Sequence, residues 1–454
     1  MSSIKKRNQI DCLKEGNTMF EIKGKYNTAK VYATTVENEC IAQIMDLCNQ
    51  KWLEGCNIAI MPDCHAGKGC TIGTTIKLKD KVAPSLVGVD IACGMLTIKL
   101  PKQLIVDIEK LDKYINENIP AGFNVNDEPV YRFHEFNIEK LLCYDKLKNV
   151  EYLKKSLGSL GGGNHFIELS VDKQSNQYLI IHSGSRNLGK QVAEIYQHMA
   201  DEYCNHMRKD KLEARWKLID KLKAEGRQKE ISSKLEEFEK NYIEQKRIPH
   251  DLCYLEGMLA EDYLHDVRIC TQFASLNRRY IAKSILEFIV KENGYDDGNL
   301  NVYIDETHLN QFTFGFDNNL VSVQSPGFET LHNYVSDDRI LRKGAISAKE
   351  GEVVLIPINM KDGSIIGIGK GNTYYNQSGP HGAGRLMSRN KAKEIIKLEE
   401  FQASMKSVYS TSVCVSTIDE SPMAYKPIEE IIENIKHTVK LEKILKPIYN
   451  FKAH

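Results

Sequence analysis

The sequence lacks a charge excess. Its 454 residues carry 61 Lys plus Arg against 61 Asp plus Glu, so any contact with nucleic acid must come from a local patch rather than from net charge. A long apolar run is also missing. Nothing approaches the roughly 18 uninterrupted apolar residues that span a bilayer, and the N-terminus does not combine basic residues with an apolar core of signal length. Twelve cysteines in a chain of this length are too sparse and irregular for a disulfide scaffold. The thiols are therefore expected to be reduced, and the protein soluble, cytoplasmic and without a membrane partner. Apolar content suffices for one large core or for two or three average ones.

What is present centres on Val87-Gly88-Val89-Asp90-Ile91-Ala92-Cys93-Gly94-Met95, which sets a carboxylate and a thiol three residues apart between glycines that let the backbone turn. A carboxylate with a thiolate can hold or bridge divalent cations; the plain alternative is a buried strand with an inert cysteine. A metal reading needs imidazole partners elsewhere, because two residues cannot fill the coordination sphere of a catalytic ion.

Alternation in Phe20-Glu21-Ile22-Lys23 and Ala29-Lys30-Val31-Tyr32 predicts a hairpin, and Ile41, Ile44, Leu47 and Cys48 predict a helix over 37–50. The strand Ile58-Ala59-Ile60-Met61 is expected to feed a polar loop, Pro62-Asp63-Cys64-His65-Ala66-Gly67-Lys68-Gly69. That loop reads as support for the Asp90/Cys93 site or as a tight turn, with His65 its notable residue. A helix is expected near 103–118, with a polar stretch to about 150.

Three successive glycines precede Asn164-His165-Phe166-Ile167-Glu168-Leu169, so backbone there can approach a metal or anion closely. The apolar strand Leu179-Ile180-Ile181 ends at His182-Ser183-Gly184-Ser185-Arg186, and the carboxyl end of a strand is a favoured place for ligands. From about 190 to 248 the chain reads as helical and increasingly charged, a solvated helical hairpin over 206–248 or an arm that docks RNA. A helix over about 255–292, with Tyr263, Phe273, Asn277 and Arg278-Arg279, is expected to pack on the sheet. Strands are expected near 300–304, 320–324 and 353–356, with a further imidazole in Thr330-Leu331-His332-Asn333-Tyr334. The pair Arg342-Lys343 suits phosphate oxygens. Finally Ser378-Gly379-Pro380-His381-Gly382-Ala383-Gly384-Arg385 places a Gly-flanked histidine just ahead of an expected helix start, with Arg385 and Arg389 following, an arrangement for a nucleophile or a phosphate. The fold class is mixed, α+β or α/β: central β-sheets, flanking helices and a charged helical hairpin insertion.

In order, Pro-Asp-x-His, Gly-Val-Asp-Ile-x-Cys-Gly-Met, Gly-Gly-Asn-His-Phe, His-x-Gly-Ser-Arg, His-Asn, Arg-Lys-Gly-Ala and His-Gly-Ala-Gly-Arg resemble the RtcB family of RNA ligases, from about residue 58 to the C-terminus. Several long motifs in one order are very improbable by chance. The resemblance implies a single catalytic domain over 1–454 and a two-manganese centre. In that centre Cys93 bridges, Asp90 and His165 complete one ion, and His182 and His332 complete the other. It makes His381 the residue that accepts guanylate from GTP. It places Asn164, Glu168, Asn359, Ser364, Gly382, Ala383, Gly384, Arg385, Tyr425 and Lys452 around the nucleotide, with Glu168 and Lys452 at the guanine edge. The implied substrates are RNA ends bearing a 2′,3′-cyclic phosphate or 3′-phosphate and a 5′-hydroxyl, in tRNA splicing or RNA repair, with an accessory activator protein left open.

Three stretches depart from the family: Ile358-Asn359-Met360-Lys361 stands where Gly-Ser-Met-Gly is common, Gly379-Pro380 precedes His381, and Asp419 to Lys426 match the late motif in part. Two other classes stay open, an RNA-end-binding regulatory homologue and a dinuclear metal phosphodiesterase that would not use His381.

Overall fold

The computed structural model describes residues 19–34, 36–131, 135–205, 207–241, 247–294, 311–315 and 322–453. The strand expected near 300–304 lies outside them.

Two sheets carry the architecture. The smaller has six strands, in the order Phe20–Lys23, Thr28–Val31, Asn57–His65, Ile72–Lys77, Ile340–Lys343 and Tyr334–Val335. The larger has eight, in the order Gln311–Gly315, Ser322–Leu331, Gly94–Lys99, Gln177–Ser183, Phe166–Val171, Val439–Phe451, Gly363–Gly369 and Val353–Asn359. Its central strands read as near-continuous apolar runs because both faces are covered. Leu179 and Ile181 face Ile281, Ile285 and Ile289 of the long helix Met258–Glu292, whereas Tyr178 and Ile180 face Leu355, Ile366 and Leu445. That alternation is the two-residue period of a strand.

Strand pairing in the larger sheet positions the site. Gly94 pairs with Ser183 and Leu331, and His182 lies opposite Met95 and Phe166. In antiparallel order this brings two strand starts, at Gly94 and Phe166, to the same edge as two strand ends, at Ser183 and Leu331. Residues just outside those ends are therefore neighbours although far apart in the chain.

Helices Met207–Ala224 and Ile231–Asn241 pack on each other as a pair that turns at Gly226, whose φ is +69°. At their root the Asn205 side chain accepts from Ile248 N–H and donates to Ile248 C=O, both at 3.2 Å. The two ends of the insertion are thus tied together.

Local expectations are corrected at several points. The strand Asn57–His65 runs on through Pro62 to His65, where a loop was expected, with its register shifting between Ile60 and His65. The helix expected from 103 starts at Ile108, because the Asp107 side chain caps it by accepting from Lys110 N–H. Arg342 and Lys343 face no solvent for a phosphate. Arg342 is fully buried and donates to Ser378, Ser336 and Tyr334 hydroxyls, while Lys343 donates to the carbonyls of Ser85 and Lys68. No helix begins right after His381; the next one, Arg389–Ile395, starts well downstream.

Candidate metal centre and nucleotide cleft

The segment from Gly88 to Cys93 is a loop between the one-turn helix Pro84–Val87 and the strand Gly94–Lys99. At its end Cys93 Sγ lies 3.3 Å from His165 Nε2 and 3.2 Å from His182 Nε2, and His165 Nε2 lies 2.9 Å from Asp90 Oδ2. Two sets of ligand atoms each fall within 4.8 Å of one another: Asp90, Cys93 and His165, and Cys93, His182 and His332. Cys93 belongs to both.

Each imidazole is oriented from behind. His165 Nδ1 donates to the Leu160 carbonyl at 2.8 Å and His182 Nδ1 to the Asn164 carbonyl at 3.0 Å, which leaves both Nε2 atoms free to bind a cation. His332 is fixed by its backbone, whose N–H donates to the Cys93 carbonyl at 2.8 Å. Burial, with neighbouring imidazoles, holds His182 and His332 well below the usual histidine range, so they are neutral donors.

The cluster leaves polar atoms unsatisfied. His332 Nδ1 and Asp90 Oδ1 are buried and find no partner among the described residues. An unpaired buried polar atom is costly, and a thiol, three imidazoles and a carboxylate turned on one point form a donor set for a transition-metal ion. The residues fit one.

The long helix supports the centre from below. Asn277, fully buried, accepts from Gly158 and Ser159 N–H and donates to the Ser159 carbonyl, the Ser183 hydroxyl and the Gly184 carbonyl. Arg278 donates to the carbonyls of Ala92 at 3.1 Å and Ser183 at 2.9 Å, and to Glu329 at 3.2 Å. These two side chains hold the segments that lead to His165, His182, Cys93 and His332.

His381 follows the short strand Ser378–Pro380. Its Nδ1 and its backbone N–H both meet one Asp63 oxygen, at 2.8 and 3.0 Å, and its ring centroid is 5.1 Å from that of His332. The Asp63 stretch therefore serves His381, and not the Asp90/Cys93 pair. Gly384 is required here, since a Cβ would come within 2.8 Å of the Asp63 carbonyl and φ is +74°.

Beside His381 opens a cleft of about 770 Å³ including its solvent-facing mouth. All the residues expected around the nucleotide line it except Ser364, which is wholly buried next to the lining Gly363 with an unpaired hydroxyl. Glu168 accepts from Ser170 and Asn450, and burial pushes its carboxyl up to about 7. Asn359 is committed to its own turn: its carbonyl accepts from Lys361 and Asp362 N–H, and its amide donates to Asp362. Arg385 and Arg389 are likewise engaged. Arg385 donates to Tyr425 and to the Asp419 carbonyl, and Arg389 pairs with Asp419 and Glu420. Glu420 is the hub of this wall. It accepts from Tyr425 at 2.7 Å and Lys452 at 2.9 Å, and although burial raises its carboxyl, Lys452 and Arg389 hold it down to about 2.

The chain matches the family model described as tRNA-splicing ligase RtcB over residues 43–151 and 144–453. It belongs to the RtcB family. It is 30% identical over 407 residues to the RNA-splicing ligase RtcB of Escherichia coli strain K12, covering 83% of this chain and 85% of that protein. It is 26% identical over 470 residues to the tRNA-splicing ligase RtcB of Nanoarchaeum equitans, covering 86% of each. In this RtcB chain, sequence reasoning left Asn277, Arg278 and Glu420 without a role and did not connect Asp63 to His381. Asp63 carried a signal, since an acid next to prolines and glycines had been marked as functional; the other three sit in helical or partly matched stretches with no local sign of their contacts.

Proposed function

We propose that this chain is an RNA ligase that joins a 2′,3′-cyclic phosphate or 3′-phosphate end to a 5′-hydroxyl end, using GTP and a histidine-guanylate intermediate. The observation that carries the reading is His381, held by Asp63 between the cluster of potential metal ligands and the cleft. Two divalent cations, manganese in this reading, held by Asp90, Cys93 and His165 and by Cys93, His182 and His332, would supply Lewis-acid neutralisation of phosphate charge.

Asp63 keeps the imidazole proton on Nδ1, so the Nε2 lone pair is the nucleophile. Attack on the α-phosphorus of GTP forms a P–N bond and releases pyrophosphate. The guanylate then passes to the 3′-phosphate of RNA, after a cyclic phosphate has been opened by water, and the imidazole is regenerated. Attack by the 5′-hydroxyl of the second RNA forms the new phosphodiester and releases GMP. Lys452 and Glu168 are suited to the guanine edge and Tyr425 to the purine's surroundings, so positioning supplies much of the rate. The eleven described cysteines are free thiols, which suits a reducing compartment such as the cytoplasm. No described helix is long and apolar enough to cross a membrane.

Incubation with α-labelled GTP tests the reading. The wild type should form an acid-labile protein–GMP bond and ligate RNA, and His381→Ala should do neither while keeping its metal content. An adduct on the alanine variant would assign the nucleophile elsewhere; loss of metal would make His381 a ligand and favour a metallohydrolase.

A further inference from the structure

Phe123 is 94% exposed, the highest value among the large apolar side chains whose burial the structure describes. A single exposed apolar residue is ordinary when its loop is loose. This loop is not loose. The Phe123 carbonyl accepts from the Tyr152 hydroxyl at 2.8 Å, Asn124 N–H closes a turn on the Ala121 carbonyl, and the Asn126 amide donates to the Leu157 carbonyl at 2.8 Å.

The loop is also bonded to the backbone that carries a potential metal ligand. Gly122 N–H donates to the Gly161 carbonyl at 3.0 Å and Leu160 N–H to the Pro120 carbonyl at 2.8 Å, while Arg186 bridges to the Gly122 carbonyl at 2.8 Å. Leu160 is the residue whose carbonyl orients His165. Glycines next to Phe123 and just ahead of His165 leave open space. A Cβ at Gly122 or Gly163 would meet nothing within 4 Å, and one at Gly162 would meet only the Gly122 Cα, at 3.7 Å.

We infer that Phe123 is a stacking platform for an unpaired base of the RNA substrate, seated next to its reacting end. The inference rests on the ligase reading above and names how that site would hold its RNA. An exposed aromatic ring on a braced loop, with no ring partner among the described residues, offers a face that any base can cover, and the glycines beside it leave room for ribose and phosphate. Stacking of this kind tolerates every base, because each has a π-face. It would therefore select for an unpaired terminus and not for a sequence.

The test uses a single-stranded oligoribonucleotide ending in a 2′,3′-cyclic phosphate, with 2-aminopurine near that end, titrated into wild type, Phe123→Ala and Phe123→Trp. The wild type should quench 2-aminopurine. The alanine variant should lose the quenching and bind roughly 5- to 150-fold more weakly, and tryptophan should restore both. The slope of log affinity against log salt should stay the same, since no phosphate contact is removed. Unchanged affinity and quenching in Phe123→Ala would overturn the platform. So would a matching loss of GMP-adduct formation without RNA, which would make the loop a support of the metal centre. If the wild type shows Phe123-dependent quenching yet never ligates, the platform stands and the ligase reading fails.

Discussion

Replacing Asp63 separates geometry from charge at His381. Both donors of His381 converge on a single Asp63 oxygen, and Asp63 is fully buried. In Asp63→Asn the amide oxygen can take that position and accept both hydrogens, so orientation survives while the negative charge is lost. Asp63→Ala removes both. In the proposed reaction the ring would acquire positive charge as Nε2 attacks phosphorus, and a carboxylate would stabilise that charge more than a neutral amide. A hydrogen bond to a charged group contributes about 1.5–3 kcal/mol, and each 1.36 kcal/mol is tenfold in rate. Because the amide keeps a neutral bond of about 0.5–1.5 kcal/mol, asparagine loses about 1–1.5 kcal/mol and should slow adduct formation roughly 5- to 13-fold, and alanine should slow it further by releasing the tautomer. The assay is the single-turnover rate of labelling from α-labelled GTP, with metal content measured alongside. If both variants label within about twofold of wild type, the carboxylate does not assist the nucleophile. If alanine labels faster than asparagine, the bond to residue 63 does not orient the ring productively and the argument fails.

Cys93→Ser should stay folded, because little volume changes, but lose bound metal and ligation, since a hydroxyl is a poorer bridging ligand than a thiolate; near-normal metal stoichiometry in the variant would refute the bridge. Glu168 is neutral below about 7 and a carboxylate above it, and in the proposed guanine pocket the carboxylate would accept from guanine N–H groups more strongly than the neutral acid. GTP affinity should then rise with pH through about 7 and level off, and Glu168→Gln should flatten that profile by titration calorimetry. Replacing residues 206–248 by a short linker from Asn205 to Pro249, close to where Asn205 meets Ile248 in the intact chain, should leave GMP labelling intact; a shallower salt dependence of RNA binding in the deleted form would show that the helices touch phosphate.

The legible parts were those written in local sequence. Alternation and helical spacing gave the hairpin at Phe20 and Val31, the helix over Asn38–Cys48 and the buried strand ending at His182. The glycine-rich motifs marked the loops from which Asp90, His165 and His381 extend. What could not be read was partnership across the chain. Nothing around Asp63 says that its oxygen meets His381, 318 residues away, and Arg342-Lys343 looks like an anion site until the strand pairing buries it. The carboxylate partners of Arg385 and Arg389 could not be read for the same reason, since they lie in a separate stretch of chain.

The clamp made by Asn277 and Arg278 bears on when the centre can be built. Arg278 reaches Ala92 across 186 residues, and contacts of such sequence separation close late, after most of the chain has collapsed. Ligands spread over that span cannot be gathered by an ion in an unfolded chain, as the closely spaced ligands of a small zinc module can. Here protein groups hold the loops, so the pocket is shaped before loading. A cell short of the ion would accumulate a folded, empty protein ready for rescue, not a misfolded one destined for degradation.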